Sequence, residues 1–315
     1  MSFVTDQKED VENTVFKGVV LMIAFCFVVP LLDVFSKLAA AQVPVAEIAT
    51  ARFILQVAFM LPVMIYMKRT FKLERRLISR LFLRAVFLLI STFFFVLAIS
   101  VMPIADALAI VFVEPFIILF LAWVLFNEKV DIRRISASLV GFLGVLLVIQ
   151  PSFANFGYIA FYPLGVAFTF ACYMLITRHL STEIDPISMQ FHTAALGSLI
   201  CIPILIAGSA LEVGALTPIW PDPIFLLWLL GVGFFASVSH LLMTLALQNA
   251  PSATLAPLHY LELIMAGFLG YIVFSDIPNP MALMGMLIVV LSGLYVVFRE
   301  RQLNDLGFGY YCKYS

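Results

Sequence analysis

Apolar runs of about 20 residues, each long enough to cross the hydrocarbon of a bilayer as a helix, follow one another along the whole chain. No other feature restricts the fold as strongly. Backbone inside hydrocarbon has to satisfy its hydrogen bonds within itself, so consecutive runs of this length point to an all-α polytopic membrane protein. Strand-type alternation is missing from the sequence, which argues against a transmembrane β-barrel. Composition agrees: 63% of the 315 residues are hydrophobic and 12% are charged. With a mean hydropathy of +1.09, the chain has too little charge to cover a water-exposed surface.

Turn residues and charge clusters divide the sequence into about ten expected transmembrane helices. They fall near residues 17–38, 44–67, 80–101, 104–126, 132–150, 157–179, 187–207, 224–247, 252–274 and 281–299. The opening "MSFVTDQKEDVENTVFKG" is polar and acidic rather than basic, and no small-residue cleavage site follows. The first apolar run therefore reads as a span and not as a signal peptide.

Lys and Arg set the orientation. Lys8 and Lys17 precede the first span, and Lys68, Arg69, Lys72, Arg75, Arg76, Arg80 and Arg84 lie between or beside spans two and three. Lys129, Arg133 and Arg134 follow span four, Arg178 ends span six, and Arg299, Arg301 and Lys313 follow span ten. All share one face if both termini are cytoplasmic. The opposite loops, "VMP", "PSFANFGY", "GSALEVGALTPIWPDP" and "SDIPNP", hold no Lys or Arg. Only Lys37 and Arg52 stand outside the scheme.

The chain also repeats itself. With "MPIADALAIVFVEPFIILFLAWVLFNEKV" set above "APSATLAPLHYLELIMAGFLGYIVFSDIP", Pro103 falls on Pro251, Glu114 on Glu262 and Glu128 on Asp276 at one common separation. Gly18 with Gly165 and Pro44 with Pro186 match more weakly. This gives a cytoplasmic tail over 1–16, a first five-helix repeat over 17–152, a second over 153–300 and a second tail over 301–315. Five is odd, so the second copy enters the membrane from the other side. That inverted-topology arrangement places a substrate site near the midplane, between the halves.

At this point the chain resembles a known family. Five spans duplicated to ten look like the drug/metabolite transporter superfamily, in particular its EamA-type members. The local marks are "DVFSK" in span one, "PVAEIATARF" opening span two, and the Pro–Glu–carboxylate pattern of spans four and nine. Span nine, "APLHYLELIMAGFLGYIVFSDIP", is most similar to the branch associated with S-adenosylmethionine and riboflavin uptake. Many members carry a Trp in the middle of span one, where this chain reads "FCFVVPLLDVFSK". The resemblance implies a central cavity walled by both halves and reached alternately from either side of a bacterial inner membrane.

The chemistry-bearing candidates are the ionisable residues inside the spans, which are costly there and mark function by default. Glu114 and Glu262 come first: each sits near the middle of its span and the repeat relates them. They can hold a cationic or hydrogen-bonding substrate or take up a coupling proton; the alternative is a structural carboxylate bonding backbone freed by Pro115. Asp33 and Lys37 are spaced to share one face of span one in the favourable acid-before-base order. Pro30 just upstream is expected to kink or break that helix. Arg52, about two turns into span two, calls for a fixed carboxylate, which Asp33, Glu47 or Glu114 can supply.

His259 is placed to share a face with Glu262. Tyr260 and Tyr173 carry deep hydroxyls that need partners. His192 and His240 lie nearer the cytoplasmic ends and are weaker candidates. Tyr158, Tyr162 and Trp220 read as interfacial anchors, and Gly141, Gly144, Gly165, Gly267, Gly270, Gly285 and Gly293 as close helix contacts. Glu128, Lys129 and Asp276 read as structural, at span ends. The four cysteines form no CxxC pair and join no His/Cys cluster, so neither disulfide nor metal is expected. No cofactor and no nucleic-acid partner is expected.

Three function classes follow. A secondary transporter of a small organic metabolite fits inverted repeats and midplane polar groups, and no P-loop is present to drive it with ATP. Uptake of a cofactor-like compound of riboflavin or S-adenosylmethionine type is favoured by the span-nine resemblance, with efflux of amino acids or drugs as the alternative. An intramembrane enzyme using the carboxylate pair lacks any HExxH, Gly-x-Ser-x-Gly or clustered-aspartate motif. A channel, the third class, is separated from a carrier by counterflow.

Overall fold

The computed structural model describes residues 2–126, 132–213, 216–250 and 255–305, and every regular element among them is helical. The helices are α1 (Ser2–Ala39), α2 (Val45–Tyr66), α3 (Arg75–Ile99), α4 (Ile104–Val111), α5 (Glu114–Phe126) and α6 (Ile132–Phe156). They continue as α7 (Tyr162–Leu180), α8 (Pro186–Ala210), α9 (Pro223–Asn249), α10 (Tyr260–Phe274) and α11 (Pro280–Asp305), with 3₁₀ turns at Gly157–Phe161 and Ala256–His259. Glu128 and Lys129, assigned above to a span end, lie outside the described residues.

Among the described residues six helical stretches are long and apolar enough to cross a membrane: Thr14–Ala39, Val45–Tyr66, Arg75–Ile99, Leu139–Leu180, Pro186–Ala210 and Pro223–Asn249. Leu261–Phe274 and Pro280–Ser292 are shorter apolar helices. Two features depart from the expected spans. The stretch 104–126 is not one helix, because a turn at Phe112–Val113 separates α4 from α5. The stretch Leu139–Leu180 contains α6, the 3₁₀ turn and α7; Gly157, at its bend, takes φ +61°, a left-handed backbone that suits a residue without Cβ.

The expected break at Pro30 is not found. α1 runs unbroken through that residue, whereas the interruption falls just before Glu114 and Pro115. A proline in the first turn of a helix loses no intrahelical bond, since the N–H it lacks would have been unpaired there. Pro115 thus opens α5 at little cost. Pro186 and Pro223 begin α8 and α9 in the same way, each directly after an aspartate. Asp185 also caps α8, its carboxylate accepting from the Ser188 N–H at 3.1 Å.

The duplication is visible in how helices stop as well as in which residues match. α2 and α8 both end on a left-handed residue, Lys68 at φ 53° and Glu212 at φ 53°. The next N–H then closes a six-residue ring in each, Arg69 to the Met64 carbonyl at 3.0 Å and Val213 to the Gly208 carbonyl at 2.9 Å.

Packing crosses the two halves. α1 lies along α9 and α3 along α7, while α2 meets α8 and α6 meets α11. At the last crossing backbone meets backbone: a Cβ on Gly144 would stand 2.9 Å from the Gly285 carbonyl oxygen. Gly141 and Gly165 likewise meet aromatic side chains at close range. Gly267 and Gly270 do not: both face open space, because α10 turns those positions away from its neighbours. Gly293 is outside the residues whose side chains are described.

Ion pairs join the halves at both rims. At one, Lys37 at the end of α1 binds Asp276 beyond α10 at 2.8 Å and donates to the Met102 carbonyl at 3.0 Å. At the other, Arg80 near the start of α3 binds Glu183 at 2.7 Å, and Arg69 reaches Asp185 at 3.4 Å. α1 therefore ends at the first rim and its repeat counterpart α7 at the second.

Candidate functional site: a buried cavity with opposed charges

The interruptions in the helices converge on one internal cavity of about 80 Å³, lined from α1, α2, α3, α4, α5, α7, α9 and α10. Its apolar lining includes Phe25, Phe95, Phe112 and Phe170. Its polar lining is Asp33 and Ser36 of α1, Arg52 of α2, Ser91 and Thr92 of α3, Glu114 of α5, His240 of α9, His259 of the second 3₁₀ turn and Glu262 of α10.

Glu114 is the first residue of α5, directly after the turn at Phe112–Val113, and Glu262 lies in the first turn of α10, which follows the turn Ala256–His259. A helix start presents free N–H groups and favours negative charge, which helps a carboxylate stay at this depth. Their exposure is 4% and 7%, and both line the cavity, so neither faces the bundle's outer surface. His259 stands beside Glu262, Nδ1 to Oε2 3.7 Å, within ion-pair range but beyond hydrogen-bond reach. Its ring packs against Phe25 at 5.4 Å, and the Cys26 thiol donates to the Leu258 carbonyl at 3.2 Å, tying α1 to the turn that carries His259.

Arg52 has no carboxylate partner among the described residues. Its guanidinium donates to the Thr92 hydroxyl and contacts His240 Nε2 at 2.5 Å. Arginine cannot accept, so Nε2 is the acceptor, and Nδ1 donates to the Tyr173 hydroxyl oxygen at 3.1 Å. That oxygen also accepts from Arg84 at 2.8 Å. Arg84 donates further to Thr177 at 2.8 Å and to Thr193, with its guanidinium 4.5 Å from the Tyr173 ring centroid. Two buried guanidinium groups are thus joined through an imidazole and a phenol.

Of the residues singled out in the sequence, Glu114, Glu262, His259, Asp33 and Arg52 meet in the cavity. Tyr173 lies behind the wall, fully buried. Lys37 is at the rim and pairs with Asp276 and not with Asp33, which lines the cavity. The Tyr260 side chain falls outside the described residues. None of the three acids offered to Arg52 forms an ion pair with it; Glu47 instead accepts from the Ile219 N–H at 3.0 Å.

Two functional candidates were misread. His240 belongs to the cavity, and Arg84, grouped with the loop charges, is completely buried in α3. For His240 a usable signal existed: it is the repeat counterpart of Thr92, which shares its contact with Arg52.

An apolar helical bundle around a polar, charge-bearing internal cavity defines a multi-pass membrane protein with a small-molecule site. The chain belongs to the EamA-like transporter family, whose model matches it twice, over residues 16–150 and 155–299. It is 27% identical over 273 residues to an S-adenosylmethionine uptake transporter of Rickettsia bellii, covering 86% of this chain and 89% of that one. To a riboflavin transporter of Brucella anthropi it is 26% identical, over 64% of this chain and 70% of the other. To a pseudopaline exporter of Pseudomonas aeruginosa it is 22% identical, over 87% and 94%. A solved crystal structure shares the fold with a TM-score of 0.64 at 15% identity, over 94% of this chain and 99% of that one.

Proposed function

We propose that the chain is a secondary transporter that takes up a cofactor-like metabolite, of the S-adenosylmethionine or riboflavin type, by alternating access. The observation that carries this reading is the pairing of Glu114 and Glu262. Repeat-related carboxylates lie in the first turns of broken helices, and both line one internal cavity. Discontinuous helices at the interface of repeats are where carriers bind cargo.

The rim contacts support the remaining architecture. α1 and its counterpart α7 end at opposite rims, as an inverted duplication requires. Ten spans with both termini cytoplasmic accommodate that and the Lys/Arg distribution. Ion pairs between the halves at both rims tie together helices that flank the cavity. Release of one rim at a time is the proposed alternating step.

In this reading Glu114, Glu262, Asp33, His259 and Arg52 contact the cargo. Lys37 and Tyr173 act from behind, holding the rim and Arg84, while Tyr260 precedes Glu262 by two residues. A proton carried by the Glu114–Glu262–His259 group is the proposed coupling ion. The groups facing it are Asp33, Arg52 and His240.

Counterflow of labelled S-adenosylmethionine and riboflavin in reconstituted vesicles tests the assignment. Saturable exchange lost in both Glu114→Gln and Glu262→Gln is expected. Exchange and pH dependence unchanged in both variants would refute the site. The exporter among the relatives keeps efflux as the second reading, and vesicles with imposed gradients of either sign distinguish the two. Recovery of a chemically altered label would instead indicate an intramembrane enzyme.

A further inference from the structure

The cavity lining carries charge of both signs, and none of its carboxylates is in direct ion-pair contact with its guanidinium. Asp33, Glu114 and Glu262 supply three carboxylates to its lining, and Arg52 supplies a guanidinium. Arg52 is 6% exposed, and its contacts are the neutral acceptors Thr92 and His240. Its Nε has no partner among the described residues, nor have Asp33 Oδ2 and His259 Nε2. Beyond His240 and Tyr173 lies a second buried cation, Arg84, whose partners are all hydroxyls.

A buried guanidinium whose direct partners are all neutral, with Asp33 acting on it only from a distance, has its desolvation incompletely offset. His240 cannot supply it, because its Nε2 lone pair is already used and its Nδ1 proton points to Tyr173. The donors of Arg52 that Thr92 and His240 leave unused, Nε among them, belong to a planar fork that matches a carboxylate. We propose that Arg52 receives a carboxylate of the cargo while Asp33, Glu114 and Glu262 receive its cationic part. The cavity then selects molecules carrying both charges. This rests on the transporter reading and narrows it: an amino-acid-bearing cofactor satisfies both sides, and a neutral ring compound satisfies neither Arg52 nor the excess of acids.

The purified full-length chain tests it through ligand-dependent thermal stabilisation with three probes: S-adenosylmethionine, its decarboxylated analogue and riboflavin. The wild type is expected to bind the intact compound roughly tenfold or more tightly than the analogue, the factor for a lost charge-assisted hydrogen bond in a buried site. Arg52→Gln is expected to remove that difference between the two compounds, and Arg52→Lys to restore part of it. Equal wild-type affinity for the two compounds overturns the proposal without any variant, so an unfolded Arg52→Gln does not protect it. So does an Arg52→Gln protein that keeps the full discrimination. Binding of riboflavin alone overturns the proposal and leaves the transporter reading intact. Binding of none of the three rejects both.

Discussion

Tyr173→Phe separates a residue that touches cargo from one that holds the frame. The hydroxyl accepts from Arg84 at 2.8 Å and from His240 Nδ1 at 3.1 Å. The ring lies under the Arg84 guanidinium, 4.5 Å away, and stacks on Phe170 at 5.3 Å. Phenylalanine keeps the ring contacts and removes both acceptor functions. One lost bond is to a charged donor, about 1.5–3 kcal/mol, and one to a neutral donor, about 0.5–1.5 kcal/mol. Arg84 keeps two of its three hydroxyls and cannot reach water, so little is recovered, and a loss of about 2–4 kcal/mol is expected. At about 2–4 °C per kcal/mol, the drop in apparent melting temperature in detergent is on the order of 5–15 °C. Affinity of the surviving folded fraction should stay within about twofold. Thermal denaturation followed by size-exclusion chromatography, with binding measured on the monodisperse fraction, reads both quantities. A variant with wild-type melting and weakened binding would show that the hydroxyl contacts cargo and that the Arg84 account is wrong.

Lys37→Met loses a half-buried pair and is expected to cost no more than about 1 kcal/mol, yet to raise thiol labelling of a cysteine placed at position 33 from the Lys37 rim. The exchanged pair Lys37→Asp with Asp276→Lys should return labelling to the wild-type level. Gly144→Val forces a side chain into the Gly285 carbonyl, and a loss of about 1–3 kcal/mol should appear as a lower melting temperature with unchanged cargo affinity. Asp185→Ala removes the cap of α8 and the Arg69 contact; about 1 kcal/mol of destabilisation is expected, read by the same melt.

Sequence reasoning reached the carboxylates because the repeat singles them out: Glu114 and Glu262 match at the one separation that also aligns Pro103 with Pro251. Asp33 and His259 followed from depth and spacing. The places where it failed share a cause, dependence on contacts between distant helices. Arg84 sits close enough to a basic loop to pass as part of it, and only the hydroxyls of α7 and α8 reveal it as a buried tie. Which proline interrupts a span is equally non-local. Pro30 is tolerated inside α1, whereas Pro115 coincides with a new helix start beside the cavity. Lys37 was paired with the wrong acid because helix spacing ranks near neighbours, and Asp276 approaches from the other end of the chain.

The crossed packing of α1 on α9 and of α3 on α7 bears on how such a chain could have arisen. Each sequence half packs its third helix mainly against a helix of the other, so neither half covers that helix by itself. A half standing alone would need a second copy to complete its packing. Fusing the two copies would have turned an encounter between separate molecules into a fixed partnership.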